Sequence, residues 1–229
     1  MDDAARGRRA LIAGASGLVG SRVLARLLAD ARWSEVHALV RRPLPAALRA
    51  LPGAADGRLV EHEVDFASIA RRSGLPRVDD VALCLGTTIW AAGSQQAFRR
   101  VDFDAVVGTA RVALRGGAQR LAAVSALGAD ASSRVFYNRV KGETEAELSR
   151  LDYASITLLR PSLLDGERAE SRPAERLALG LARPLAALIP ARWRPIAADA
   201  VAAALVEALR RGEPGLRIVE SDRIARDAA

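Results

Sequence analysis

The stretch from Arg8 to Gly20 constrains the fold of this chain more than any other. Ala10 to Ala13 is a short apolar run of the kind a buried strand needs, and glycines follow at 14, 17 and 20. From Ser21 to Asp30 apolar residues recur at helical spacing, at Val23, Leu24, Leu27 and Leu28. Strand, glycine turn and helix, in that order, form the context of a dinucleotide-binding loop. One glycine permits a turn that a side chain would block. Another lets backbone N–H groups approach a pyrophosphate, and the last lets the helix pack closely on the strand. The diphosphate then lies at the positive end of the helix. Gly14, Ser16, Gly17, Leu18, Val19 and Gly20 are therefore candidate cofactor-binding residues.

The remainder of the chain repeats the strand–helix alternation. Val36–Val40, Leu59–Val64, Val81–Leu85, Leu121–Val124 and Ile156–Leu159 read as further strands. Long helices are expected over Gln96–Arg115, ending at Gly116-Gly117, and over Tyr137–Leu151. Such alternation predicts an α/β fold: a doubly wound parallel sheet, the Rossmann fold, with helices on both faces. Beyond Arg160-Pro161 the alternation weakens. Arg172–Ile189 is an apolar stretch punctuated by arginine and broken at Pro184, Asp199–Arg211 is an amphipathic helix, and Leu216–Val219 is a last short strand. The organisation expected is one domain, 1–229, with a cofactor core over 8–160 and a small substrate-selecting lobe over 161–229. Leu177–Ile189 is expected to pack within that lobe, with a membrane or partner contact as the alternative.

Composition narrows the function classes. The formal charge is +7, but the 34 basic residues are spread along the chain among 27 acidic ones. That distribution argues against a nucleic-acid partner. No run of about 18 uncharged apolar residues is present, so no membrane span is expected. The start, Met1-Asp2-Asp3, lacks the charged-then-apolar pattern of a signal peptide. The single cysteine, Cys84, excludes an internal disulfide and sits in an apolar run as a small hydrophobe. The resulting expectation is a cytoplasmic monomer or homodimer that takes a small-molecule substrate.

At the end of the second strand an NAD site places Asp or Glu; here Arg41-Arg42 stands there. A carboxylate would accept from the ribose 2′-hydroxyl, whereas two guanidinium groups would hold a 2′-phosphate, which predicts NADP (NADPH). Asp65-Phe66 follows the third strand. Asp65 can accept from the adenine amino group, cap the next helix, or do both. Gly86-Thr87-Thr88 follows the fourth strand, at the carboxyl end where ligands bind in this fold.

Tyr137 and Lys141 carry the chemistry. Four apart on a helix, they share a face. A phenol beside an ammonium gives up its proton more readily, and the pair can exchange a proton with a carbonyl or alcohol oxygen. Lys141 is the only lysine in a chain that otherwise uses arginine, and Tyr137 is one of two tyrosines. A compact ammonium is not replaceable by a planar guanidinium. Ser125, at the end of the fifth strand, is the candidate for orienting the reacting oxygen, with Ser132 and Ser133 as loop rivals.

Together, Gly14-Ala-Ser-Gly17-x-x-Gly20, Tyr137-x-x-x-Lys141 and Ser125 resemble the short-chain dehydrogenases/reductases. The resemblance is closest to the Tat-interacting-protein branch of the atypical members. It rests on Arg41-Arg42, Val64-Asp65-Phe66, Cys84-Leu85-Gly86-Thr87-Thr88, Val101-Asp102, Gly128-Ala129-Asp130, Tyr137-x-x-x-Lys141-Gly142-Glu143 and Glu170-Ser171-Arg172-Pro173. It implies a Rossmann fold and bound NADPH but no well-defined substrate; the reading that follows from the site residues is an NADP(H)-dependent oxidoreductase acting on a small carbonyl/alcohol substrate. In that reading Tyr137 is the acid/base, Lys141 tunes it and holds the nicotinamide ribose, and Ser125 orients the oxygen. Two other readings stay open: an NADPH sensor with little turnover, and a sugar-nucleotide epimerase or dehydratase. The chain departs from the branch at Ala126, where a second serine is expected after Ser125.

Overall fold

The computed structural model describes residues 7–165 and 190–227. The strands are β1 (Arg8–Ala13), β2 (Trp33–Val40), β3 (Leu59–Glu63), β4 (Asp80–Leu83), β5 (Arg120–Val124), β6 (Ser155–Arg160), β7 (Leu164–Asp165), β8 (Ile196–Ala197) and β9 (Gly215–Glu220). All but β7 and β8 pair in parallel in one seven-stranded sheet of order β3-β2-β1-β4-β5-β6-β9. The order reverses between β1 and β4. At such a switch point the helices leave in opposite directions and open a crevice at the carboxyl ends of the strands.

The helices are α1 (Leu18–Ala29), α2 (Ala46–Arg49), α3 (Ile89–Ala92), α4 (Gln95–Arg99), α5 (Val106–Arg115), α6 (Phe136–Ser149), α7 (Ala198–Arg211) and α8 (Ser221–Asp227). Helix α1 begins three residues before the start that apolar spacing predicts: Gly17 is its N-cap, and Val19 in its first turn already packs into the core. Val23, Leu24, Leu27 and Leu28 of α1 are fully buried and pack with Val201, Ala202, Leu205 and Leu209 of α7 on one face of the sheet. On the other face Val106, Ala110 and Ala113 of α5 and Leu148 of α6 cover Leu11, Val81, Leu121 and Leu158.

Two expectations change. The helix predicted over Gln96–Arg115 is interrupted by a π-helical segment, Arg100–Ala105, between α4 and α5. Its wider turn leaves no mark in a 3.6-residue apolar pattern. The segment Ala198–Asp227, expected within the small lobe of the one domain, packs with the core. Helix α7 packs on α1, and β9 adds to β6 in register from Ser155↔Gly215 to Arg160↔Glu220. Among the described residues only the short β7–β8 pair stands apart from the main sheet. The apolar stretch Leu177–Ile189 and the motif Glu170-Ser171-Arg172-Pro173 lie outside the described residues.

The amino ends of the strands are tied by charge. Asp80 is fully buried and accepts from the Trp33 indole (Nε1–Oδ2 2.7 Å), from Arg8 and from Arg120 (3.2 Å). A buried carboxylate is tolerable only with such partners.

Candidate active site

The crevice is built first by the glycine turn. Gly14 has φ of +90°, and a Cβ there would lie 2.5 Å from the Cys84 carbonyl oxygen at the end of β4. A Cβ on Gly20 would lie 2.0 Å from the Gly14 carbonyl oxygen. Both positions therefore demand glycine, one for backbone conformation and both for contact. Ser16 and Gly17 are exposed where α1 begins, so its first backbone N–H groups face the crevice. Leu18 is half-buried, while Val19 and Gly20 are buried. Arg41 and Arg42 are exposed directly after β2.

Asp65 is exposed after β3, and its carboxylate is engaged locally. Oδ1 accepts from the Ala67 amide (2.9 Å) and Oδ2 from the Ser68 hydroxyl (2.9 Å). The Ala67 amide, then the Ser68 hydroxyl, hold its pKa below the ordinary carboxylate value. These contacts close a turn ahead of the short 3-10 helix Ile69–Arg71, whose N-cap is Ser68, so Asp65 does not cap that helix directly. Phe66 beside it is half-buried against the α5 face of the sheet. Cys84 is half-buried, and burial of its thiol pushes its pKa up to about 12.

Lys141 lies at the centre. It is 6% exposed, and its Nζ stands 2.7 Å from Oδ1 of Asp102, which is fully buried in the π segment. Asp102 Oδ2 accepts from the Thr87 amide (2.9 Å), and its main-chain carbonyl accepts from Thr144 Oγ1 (2.9 Å). Thr87 and Asp102 are thereby joined beneath Gly86, where a Cβ would be 3.5 Å from Asp102 Oδ1 and 3.8 Å from Lys141 Nζ. Thr88 turns its hydroxyl away to cap α3 at Ala91 (3.1 Å). Burial alone would push the Lys141 pKa down. The Asp102 carboxylate, aided by Tyr137 and Glu145, outweighs it and holds the ammonium above its ordinary value. An ammonium this deep stays charged only because a carboxylate is beside it.

Tyr137 stands one turn before Lys141 on α6, half-buried, with its ring 5.4 Å from the fully buried Phe98 ring of α4. Phe98 also meets Phe136 edge-on at 5.8 Å. This aromatic packing limits where the phenol can swing. Ser125 follows β5, anchored by its amide to Leu159 O (2.7 Å), and its hydroxyl donates to Glu145. Its rivals are used locally: Ser132 bonds Asp130 through amide and hydroxyl, and the Ser133 hydroxyl accepts from the Val135 amide. Asp102, Ser125, Lys141, Thr144 and Glu145 line one internal cavity of about 10 Å³. Asp102, Glu145 and Arg160 are the members of this cluster that sequence reading did not place in the site. Lone carboxylates carry no spacing signature; the helical i+4 separation of Lys141 and Glu145 is the one sequence signal that could have brought Glu145 in.

No protein-family model matches the chain. Curated proteins do. Protein HTATIP2 of Rattus norvegicus is 36% identical over 168 residues, covering 73% of this chain and 67% of that protein. The mitochondrial protein fmp52 of Aspergillus fumigatus is 32% identical over 212 residues, covering 91% and 87%. The chain belongs to the HTATIP2 branch of the atypical short-chain dehydrogenases/reductases. Solved short-chain dehydrogenase folds agree in architecture. A short-chain type dehydrogenase/reductase from Mycobacterium ulcerans superposes with a TM-score of 0.66 at 19% identity, covering 96% of this chain and 90% of that one. The UDP-Glc/GlcNAc 4-epimerase of Campylobacter jejuni gives 0.68 at 14%, covering 96% and 82%. At such identities the likeness is one of fold. The relatives correct one expectation: the fungal members from Aspergillus niger, Aspergillus fumigatus and others are named mitochondrial, which overturns an assignment to the cytoplasm. No helix among the described residues is long and apolar enough to cross a membrane.

Proposed function

We propose that this short-chain dehydrogenase/reductase is an NADP(H)-dependent oxidoreductase of a small carbonyl/alcohol substrate. The observation that carries the reading is the Tyr137–Lys141 pair, with the chain's only lysine buried beside Asp102 below the carboxyl ends of β4 and β5. The residues present fit a dinucleotide. Gly14 and Gly20 clear the turn, the amino end of α1 is open for a diphosphate, and the exposed Arg41 and Arg42 suit a 2′-phosphate. Gly86, Thr87, Thr88, Asp65 and Phe66 complete the rim from the neighbouring strand ends. Bound there, the nicotinamide supplies the hydride.

The chain's own residues handle the proton. Tyr137 donates it from the phenol to the carbonyl oxygen in reduction and takes it back in oxidation. Lys141, kept charged by Asp102, stabilises the phenolate that remains and is in reach of a ribose. Phe98 holds the phenol ring in place. Ser125 meets the substrate oxygen from the end of β5.

The test follows NADPH oxidation with a panel of aldehydes and ketones that includes cyclohexanone. Tyr137→Phe keeps the ring and removes the proton, so turnover should fall by roughly a hundredfold or more while NADPH affinity stays within about twofold. A substrate turned over at an unchanged rate by Tyr137→Phe would refute the mechanism. Failure to oxidise NADPH with any of the panel would favour the sensor reading.

A further inference from the structure

Glu145 takes no part in the proton transfer proposed above, yet it is buried, ion-paired and bonded to Ser125. We infer that Glu145 is a positioning residue that fixes the Ser125 hydroxyl as a hydrogen-bond acceptor, so that this corner of the site recognises the alcohol form of the substrate. The inference rests on the reading that Ser125 meets the substrate oxygen.

Hydrogen-bond accounting carries it. A serine hydroxyl has one proton and two acceptor lone pairs, whereas a carboxylate only accepts. Glu145, 6% exposed, is clasped by Arg160: Nε lies 3.0 Å from Oε1 and 3.2 Å from Oε2, and Nη2 2.5 Å from Oε2. Arg160 Nη1 in turn reaches Glu220 at 3.1 Å, at the end of the edge strand β9. Hydrogen bonding to Glu145 pushes the Arg160 pKa up, the mark of a firm ion pair with an ionised carboxylate. Ser125 must therefore donate to Glu145, and its only proton is committed. What remains on Ser125 Oγ is lone-pair density. An alcohol can donate into it; a ketone oxygen cannot. Ala126, buried next in the chain, brings no second hydroxyl to compensate.

Glu145→Gln reverses the sense. The Arg160 guanidinium only donates, so it draws the amide oxygen and leaves the NH₂ toward Ser125. Ser125 then accepts from the amide, and its proton is free for a carbonyl oxygen. Non-reacting complexes read this out without turnover: cyclohexanol titrated into NADPH-loaded protein, and cyclohexanone into NADP⁺-loaded protein, each followed by saturation-transfer NMR. The unmodified protein should bind cyclohexanol the more tightly. Glu145→Gln should shift the ratio of the two dissociation constants by tenfold or more toward cyclohexanone. Ser125→Ala should abolish both the original preference and the shift, and Glu145→Asp, which keeps the charge, should retain the alcohol preference. An unchanged ratio in Glu145→Gln, or equal weakening of both ligands, overturns the inference and leaves the functional reading standing. If neither ligand binds either complex, the functional reading falls with it.

Discussion

Lys141 is the chain's single lysine, so its ionisation can be observed alone. Protein grown with ¹³C-lysine has one Cε resonance to titrate. The Asp102 contact predicts a midpoint above the ordinary lysine value, and Asp102→Asn should lower that midpoint, because only Tyr137 and Glu145 then oppose burial. A midpoint below the ordinary value in the unmodified protein would refute the ion pair. The sign of the linkage follows. A lysine whose folded pKa is raised contributes stability in full below its unfolded pKa, and loses it as pH rises through the folded one. The lysine's contribution is thus present at neutral pH and lost in strong alkali. Arg41 and Arg42 make a second residue-scale claim. Exposed at the end of β2, they should give NADPH at least about tenfold tighter binding than NADH, about 1.4 kcal/mol, by calorimetry. Arg41→Asp with Arg42→Ala should erase the preference; equal affinities in the unmodified protein would refute the NADP assignment.

At the scale of elements, the β1–α1 unit is set by two contacts of closest approach. The Gly20 position faces the Gly14 carbonyl so closely that an alanine methyl must push α1 off the glycine turn. Gly20→Ala should cost roughly 1–3 kcal/mol of stability, as overpacking does, seen as a lower urea midpoint. NADPH affinity should fall further than stability, because the displaced helix end is the diphosphate site. Stability lost without any loss of affinity would show that α1 does not hold the cofactor. The π segment Arg100–Ala105 is the second element that matters. It carries Asp102 to Lys141 and joins α4, whose Phe98 bears on Tyr137, to α5. Periodicity predicted a helix there and could not show its one wide turn, which is where the site's buried carboxylate enters.

For the whole molecule, acid stability rests on the chain's two histidines, which meet across β2 and β3. His37 Nδ1 is 3.1 Å from His62 Nε2. Burial, then the His62 charge, lowers the His37 pKa against the opposing pull of Glu35; burial, then Arg72, lowers that of His62. The unfolded chain therefore takes up protons first, and stability should fall as pH drops below 6.5 toward the folded values. The carboxylates with lowered pKa values, Glu61, Asp65 and Asp130, act only nearer pH 4. Urea midpoints at pH 7.5 and 5.5 should differ, and His62→Gln should narrow the gap; no difference between the two pH values would refute the coupling. What the sequence alone determined is local in origin. Short apolar runs alternating with 3.6-residue periodicity dictate a parallel α/β sheet, glycine spacing dictates the turn before α1, and a four-residue separation on a helix places Tyr137 with Lys141. Tertiary structure decided the rest: Asp102 beneath Lys141, Glu145 and Arg160 around Ser125, the joining of Ala198–Asp227 to the core, and the histidine contact across β2 and β3. Each of these depends on which distant segments meet in the folded chain. A single buried charge or hydroxyl has no period in the sequence, and only its surroundings select its partner.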